Sequence, residues 1–205
     1  MIITRSYFKG IIHIPNSEDT APNSNLLGNG TELDLFIEEF ERDILIKCFG
    51  YPLYYAFVNE LDATKPNGLK DTADAKWNDL LNGKDYTLNG ISVKWMGLKF
   101  KEGQLDRSLI AYYVFCEFLN KDLVTYSGLG VVKERGKNST PVTSDPLYVS
   151  SFRKFYELTE FSNCNNGLRT LYDFIQDMNE LNSETYPNWI PKKFENVNLF
   201  GIWYL

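Results

Sequence analysis

Five Asn-Gly dipeptides, at Asn29, Asn67, Asn82, Asn89 and Asn166, constrain the fold of this chain more than any other feature. Glycine reaches positive φ without the clash that a Cβ causes, and asparagine tolerates that region, so helices and strands end at such pairs. What lies between them is helical in spacing more often than strand-like. No apolar run approaches the roughly 18 residues needed to span a bilayer, and mean hydropathy is -0.31. The expected body is one domain of 205 residues, long enough to bury a core without disulfide or metal.

From Thr31 to Phe49, Leu33, Phe36, Ile37, Phe40, Ile44 and Cys48 fall on one helical stripe, with Thr31 as N-cap and Gly50 as the stop. The remaining positions carry Glu32, Asp34, Glu38, Glu39, Glu41 and Asp43 against Arg42 and Lys47, which makes an acidic face. Pro52 opens a second helix through Leu61, since the first helical position needs no N–H. A third helix fits Thr72 to Leu81. Asn89-Gly90 then makes a two-residue hairpin turn within 84–95, pairing Leu88 with Ile91, Tyr86 with Val93, Thr87 with Ser92 and Asp85 with Lys94. The stripe Leu105, Leu109, Tyr112, Tyr113, Cys116, Leu119 and Leu123 predicts a long central helix from Gln104 to Tyr126. Residues 127–146 read as a long projecting loop bearing Lys133, Arg135 and Lys137. Two more helices are expected over Leu147–Glu160 and Leu168–Leu181.

Both ends read as arms. Residues 1–30 combine a strand-like stretch (Ile11, Ile12, Ile14) with a Pro/Asn/Ser-rich run. Residues 183–205 are too rich in proline for a helix and too apolar to float free, with Trp189, Phe194, Phe200, Ile202, Trp203, Tyr204 and Leu205. Each buried Phe or Trp adds on the order of 2 to 3 kcal/mol, so this tail can grip a neighbour. The expected fold is therefore mainly α: a small helical bundle over 31–182 with one β-hairpin, a long projecting loop and extended N- and C-terminal arms.

The charge balance narrows function. With 21 Lys+Arg against 27 Asp+Glu the chain is acidic, which argues against a nucleic-acid clamp. The single histidine, His13, excludes sites built on paired histidines. Gly28-Asn29-Gly30 and Gly128-Leu129-Gly130 lack the rest of a phosphate loop and read as turns. Glu38, Glu39 and Glu41 could supply the two carboxyl groups of a glycoside hydrolase, but on a wet helix face nothing raises a pKa, so a solvated or interface surface is expected. No catalytic residue, cofactor or metal is expected. Cys48, Cys116 and Cys164 are odd in number and far apart, as in a reduced protein made in the cytoplasm, and no export signal is visible at the start. The basic loop is read as an inter-subunit contact that meets acidic protein surface, for example the acidic face of another copy.

Four stretches carry a resemblance: ELDLFIEEFERDILIKCFGYPLYYAF (Glu32 to Phe57), WNDLLNGKDY (Trp77 to Tyr86), KWMGL (Lys94 to Leu98) and GVVKERGKNSTPVTSDP (Gly130 to Pro146). In this order they resemble the head-to-tail connector, or adaptor, proteins of tailed phages, in the version found in crAss-like and related phages of Bacteroidetes. The resemblance implies a non-enzymatic virion protein of the head-tail neck, assembled in the bacterial cytoplasm. It implies a homo-oligomeric ring, typically dodecameric, that docks on the portal, meets other neck and tail proteins and extends the DNA channel. Double-stranded DNA is then passing cargo, and no membrane is involved. Trp189 and Phe200, Ile202, Trp203, Tyr204 and Leu205 correspond to the arm that reaches the portal or a neighbouring subunit. From aromatic richness alone, the competing expectation is a glycan-binding module of a phage or bacterial surface system.

Overall fold

The computed structural model describes residues 1–14, 30–65, 68–122, 125–127, 130–132, 145–160 and 167–194. The described elements are mainly helical with small β additions. In chain order they are α1 (Gly30–Phe49), α2 (Tyr51–Val58), α3 (Ala75–Asn82), β1 (Lys84–Leu88), β2 (Ile91–Trp95), β3 (Lys99–Glu102), β4 (Leu105–Ser108), α4 (Leu109–Asp122), β5 (Thr125–Ser127), β6 (Gly130–Val132), α5 (Asp145–Thr159), β7 (Leu168–Arg169) and α6 (Leu171–Leu181).

The core forms around α4. Every residue from Leu109 to Cys116 is buried, as are Phe118 and Leu119, so the first two turns of this helix are covered on all sides while its end carries Glu117, Asn120 and Lys121. It packs between α1 and α5. It is shorter than the periodicity predicts: residues 105–108 are strand β4, paired antiparallel with β3 from Lys99↔Ser108 to Glu102↔Leu105. Gly103 turns this second hairpin, and Ser108 Oγ accepts the Ile110 N–H at 3.1 Å at the start of the helix. Leu105 satisfies the helical stripe as a spacing, yet the glycine two residues earlier and the capping serine three residues later assign it to a strand.

The first hairpin pairs Lys84↔Trp95, Asp85↔Lys94, Tyr86↔Val93, Thr87↔Ser92 and Leu88↔Ile91 around Asn89-Gly90. Asn89 has φ 51° and Gly90 φ 81°, the combination that a type I′ turn requires. A hairpin alone is marginal in water, and two neighbours complete it. Strand β7 joins β2 in parallel, Lys94↔Leu168 and Trp95↔Arg169. The Tyr86, Val93 and Trp95 face lies on α6, with Trp95 stacked on Phe174 at 5.6 Å. The Trp95 indole N–H also bonds the Leu80 carbonyl, and the Leu98 N–H bonds the same oxygen, both at 3.1 Å. One of the carbonyls left over at the end of α3 is thereby satisfied. Four of the five Asn-Gly glycines, Gly68, Gly83, Gly90 and Gly167, have positive φ, while Gly30 begins α1.

Further helix boundaries differ from expectation, and α3 starts at Ala75 in place of Thr72. Gly30 already belongs to α1, so Thr31 lies inside the helix and is not its N-cap. Helix α2 stops at Val58, and Leu61 instead bridges Leu69. The last helix starts at Leu171, because Thr170 and Asp173 form a capping box there: Thr170 Oγ1 accepts the Asp173 N–H at 3.1 Å, and the Asp173 carboxylate accepts the Thr170 N–H.

Both arms need correction where they are described. Residues 1–14 are neither strand nor arm: two short 3-10 turns, Arg5–Tyr7 and Gly10–Ile12, place Ile2, Ile3, Tyr7, Phe8, Ile12 and Ile14 in the core. Arg107 fixes the second turn by donating to the Lys9 carbonyl at 3.0 Å. At the other end, residues 183–194 wrap their own domain. Tyr186 is fully buried, with its hydroxyl on the Lys76 carbonyl and its ring against Trp77 and Phe174. Phe57, Trp77, Tyr186, Phe174 and Trp95 make one chain of ring contacts from α2 to the sheet. Much of the aromatic surplus is thus internal.

Arg5 binds Asp34 through both Nε and Nη2, joining the first 3-10 turn to α1 and holding the Asp34 carboxyl below its ordinary range. Both side chains are partly exposed, at 23% and 36%, so solvent screening limits the coupling. A double-mutant cycle with Arg5→Ala and Asp34→Ala is expected to give less than about 1 kcal/mol near neutral pH. A depressed carboxylate stabilises above its unfolded pKa, so this coupling should fade as pH falls below the ordinary 3.8. Chemical denaturation of the four proteins at pH 7 and at pH 3 measures it.

Candidate interaction surface

Several of the ionisable residues that look chemically interesting in sequence are tied to partners inside the chain. Glu41, expected on the acidic face, is buried instead. Its carboxylate accepts the Ile2 N–H at 2.8 and 2.9 Å and the Ile3 N–H at 3.0 Å, and it lies 3.9 Å from the Met1 amine. Burial raises its pKa, and the two backbone donors oppose that rise. Counting acidic positions on a helix could not show that the chain's own first residues cover this one. Asp34 is engaged by Arg5. Glu38 and Glu39 are exposed, so the acidic face is narrower than its six carboxylates suggest. The side chain of Glu32 lies outside the description.

Other polar groups act as struts. Asp43 accepts the Tyr113 hydroxyl at 2.7 Å while Lys47 reaches both, which joins α1 to α4. Buried Asp177 accepts the Tyr86 hydroxyl at 2.6 Å and pairs with Arg169 Nε at 2.9 Å, locking the sheet to α6. Cys48 and Cys116 are free and buried. Burial pushes the Cys116 thiol up to about 12 and that of Cys48 upward as well, which keeps both protonated. A cleft of about 180 Å³ beside the first residues is lined by Asp62, Lys65 and Lys99 among others. Lys65 there pairs with Asp71, and burial lowers the Lys99 ammonium. Among the described residues no three His, Cys, Asp or Glu gather as a metal centre would require. No helix among them is long and apolar enough to cross a membrane.

What remains conspicuous is α2. Its sequence YPLYYAFV carries no charge. Leu53 and Phe57, four apart, face the core, and Tyr51 and Tyr55, also four apart, face out with 61% and 58% exposure. The two outer rings stack at 6.3 Å with an interplanar angle of 18°. Pro52 and Ala56 are exposed beside them. Gly50, at φ 75°, turns the chain between α1 and α2, and a Cβ there would lie 2.8 Å from the Ile190 carbonyl oxygen. Ile190, 67% exposed, extends the apolar surface from the neighbouring strand of chain. The sequence does not mark which stripe stays uncovered, since Tyr51 and Tyr55 share the four-residue spacing of Leu53 and Phe57.

Of the residues expected on the C-terminal arm, Trp189 is held by its own chain. Its ring meets Tyr172 edge-on at 5.4 Å, and its indole N–H bonds the Cys48 carbonyl at 2.9 Å. Trp189 is therefore a half-buried part of the domain surface and not part of a free arm. Phe200, Ile202, Trp203, Tyr204 and Leu205 lie outside the described residues, as do Lys133, Arg135 and Lys137. Within 127–146, residues 130–132 form β6, paired with β5 from Thr125↔Val132 to Ser127↔Gly130, and α5 starts at Asp145. Comparison with models of known protein families gives no match, and neither the curated proteins nor the solved structures show a significant similarity to this chain.

Proposed function

We propose that this chain is a non-enzymatic structural subunit of a tailed-phage virion, a head-to-tail adaptor that forms a ring, docks on the portal and extends the DNA channel toward the tail. One observation carries the reading most directly. The described surface offers unlike patches, an uncharged aromatic face on α2 and the exposed acidic pair Glu38 and Glu39 on α1. A ring subunit touches its neighbours through two different patches, so unlike surfaces on one chain suit it. The resemblance adds the neck and the portal. Its segments Glu32 to Phe57, Trp77 to Tyr86 and Lys94 to Leu98 fall on α1–α2, α3–β1 and the end of β2, which pack into one core.

Sedimentation velocity of the purified chain, alone and with a portal protein from a phage of the same type, tests the reading. The expected result is a complex of many copies that co-sediments with the portal. A chain that stays monomeric and ignores the portal overturns it.

The second reading is a glycan-binding module, and Tyr51 with Tyr55 now favours it more than Trp189 does, because an exposed ring pair can stack on a sugar. Glycan-array binding that is lost in Tyr51→Ala/Tyr55→Ala would support this reading in place of the first.

A further inference from the structure

We propose that the α2 face of one copy receives the C-terminal segment Val197–Leu205 of a second copy. The inference rests on the ring-forming part of the function proposed above and not on the neck location.

The two surfaces match in chemistry. Helix α2 has no charged residue and exposes Tyr51, Pro52, Tyr55 and Ala56. Val197–Leu205 also has none, and seven of its nine residues are apolar or aromatic. Contact between them desolvates no charge, and Tyr and Trp are the residues that anchor protein interfaces most strongly.

The path of the chain leads away from its own α2. The Ile190 N–H bonds the Phe49 carbonyl at 3.1 Å, beside α2, and two residues later the Lys192 N–H bonds the Lys47 carbonyl at 2.7 Å. The chain therefore retreats along α1, away from α2. By Phe194 it lies against Phe155 of α5, ring to ring at 5.0 Å. The last described residue of the chain thus lies beside α5 and not on its own α2 face. Nine extended residues reach roughly 30 Å, enough to cross to a neighbour. A face at one place and a donor segment at another make a head-to-tail contact, which closes into a ring when the rotation permits.

The test uses two full-length variants. Tyr51→Asp/Tyr55→Asp spoils the face and Ile202→Asp/Trp203→Asp spoils the segment. Wild type should sediment above the monomer mass and each variant alone at the monomer mass. An equal mixture should give a complex of two chains and nothing larger, because each pair retains one intact segment and one intact face. A monomeric wild type, a variant that assembles unchanged, or a mixture with no complex overturns the proposal. Circular dichroism checks that the variants fold. Should the face variant lose its helical signal, benzoylphenylalanine introduced at Tyr55 in a mixture of isotope-labelled and unlabelled chains decides instead. Crosslinks to 197–205 between unlike chains support the docking, and crosslinks within one chain, or none to that segment, overturn it. Self-assembly that follows this pattern in a chain that ignores the portal removes only the neck reading. Portal binding by a chain whose face variant still assembles removes only the docking.

Discussion

Gly97→Ala is expected to destabilise the protein by on the order of 3 kcal/mol, read from denaturant unfolding at unchanged slope. Gly97 has φ 99°, a region that L side chains rarely adopt, and a Cβ there would lie 2.6 Å from the Asn82 carbonyl carbon and 2.7 Å from the Gly83 nitrogen. Gly83 mirrors it, with φ 94° and the Trp95 carbonyl oxygen 2.6 Å from its Cβ position. Here the end of α3 and the chain leaving β2 cross backbone against backbone, so neither side can yield as a flexible side chain would. Gly83→Ala should cost a similar amount. Gly90→Ala and Gly103→Ala supply the control: their φ values are also positive, at 81° and 63°, but nothing lies within 4 Å of the added carbon. They should cost only about 1 kcal/mol, the conformational part alone. Equal losses at all four positions would show that the close crossing contributes nothing.

Trp95→Ala should cost about 3 to 5 kcal/mol, the range for deleting a large buried aromatic side chain. Trp95 is 1% exposed, stacks on Phe174 and ties the sheet to α3 through the Leu80 carbonyl. Trp95→Phe separates the two contributions. It keeps a ring against Phe174 and loses the indole N–H, while the Leu98 N–H still serves the Leu80 carbonyl, so the polar part of its cost should stay near 1 kcal/mol. Thermal unfolding followed by circular dichroism measures both. A loss for Trp95→Ala no larger than that for Trp95→Phe would mean that the site collapses around the gap and that the stacking carries little.

Local chemistry accounts for which parts of the fold the sequence reveals. The hairpin pairing follows from Asn89-Gly90 and the alternation on either side of it, because a two-residue turn leaves no freedom of register. The stop of α1 at Gly50 follows in the same way. The long helix from Gln104 fails because Leu105 fits a helical stripe and a strand equally well, and the deciding signals are single residues, Gly103 and Ser108. The N-terminal residues fail for a different reason. Their apolar stretch Ile11, Ile12 and Ile14 resembles a strand, and tertiary partners distant in sequence, Asp34, Glu41 and Arg107, hold the two 3-10 turns and the first residues against the core.

The candidate surface was legible in part. Glu38 and Glu39 are exposed as a wet helix face requires, whereas Glu41 lies inward because its partners come from another part of the chain. Trp189 belongs to the domain for the same reason: the Cys48 carbonyl and the Tyr172 ring that hold it lie far from it in sequence. The α2 face is the converse case. Its tyrosines follow the same four-residue spacing as a core stripe, and only the position of the rest of the domain tells which stripe is covered.

The proposed function is a ring of this chain on a portal. Electron microscopy of the purified chain mixed with a portal protein tests it most directly. Closed rings of this chain stacked coaxially on the portal, with each subunit touching its neighbours through two unlike surfaces, are the expected result. Bare portal particles beside a monomeric chain would contradict it.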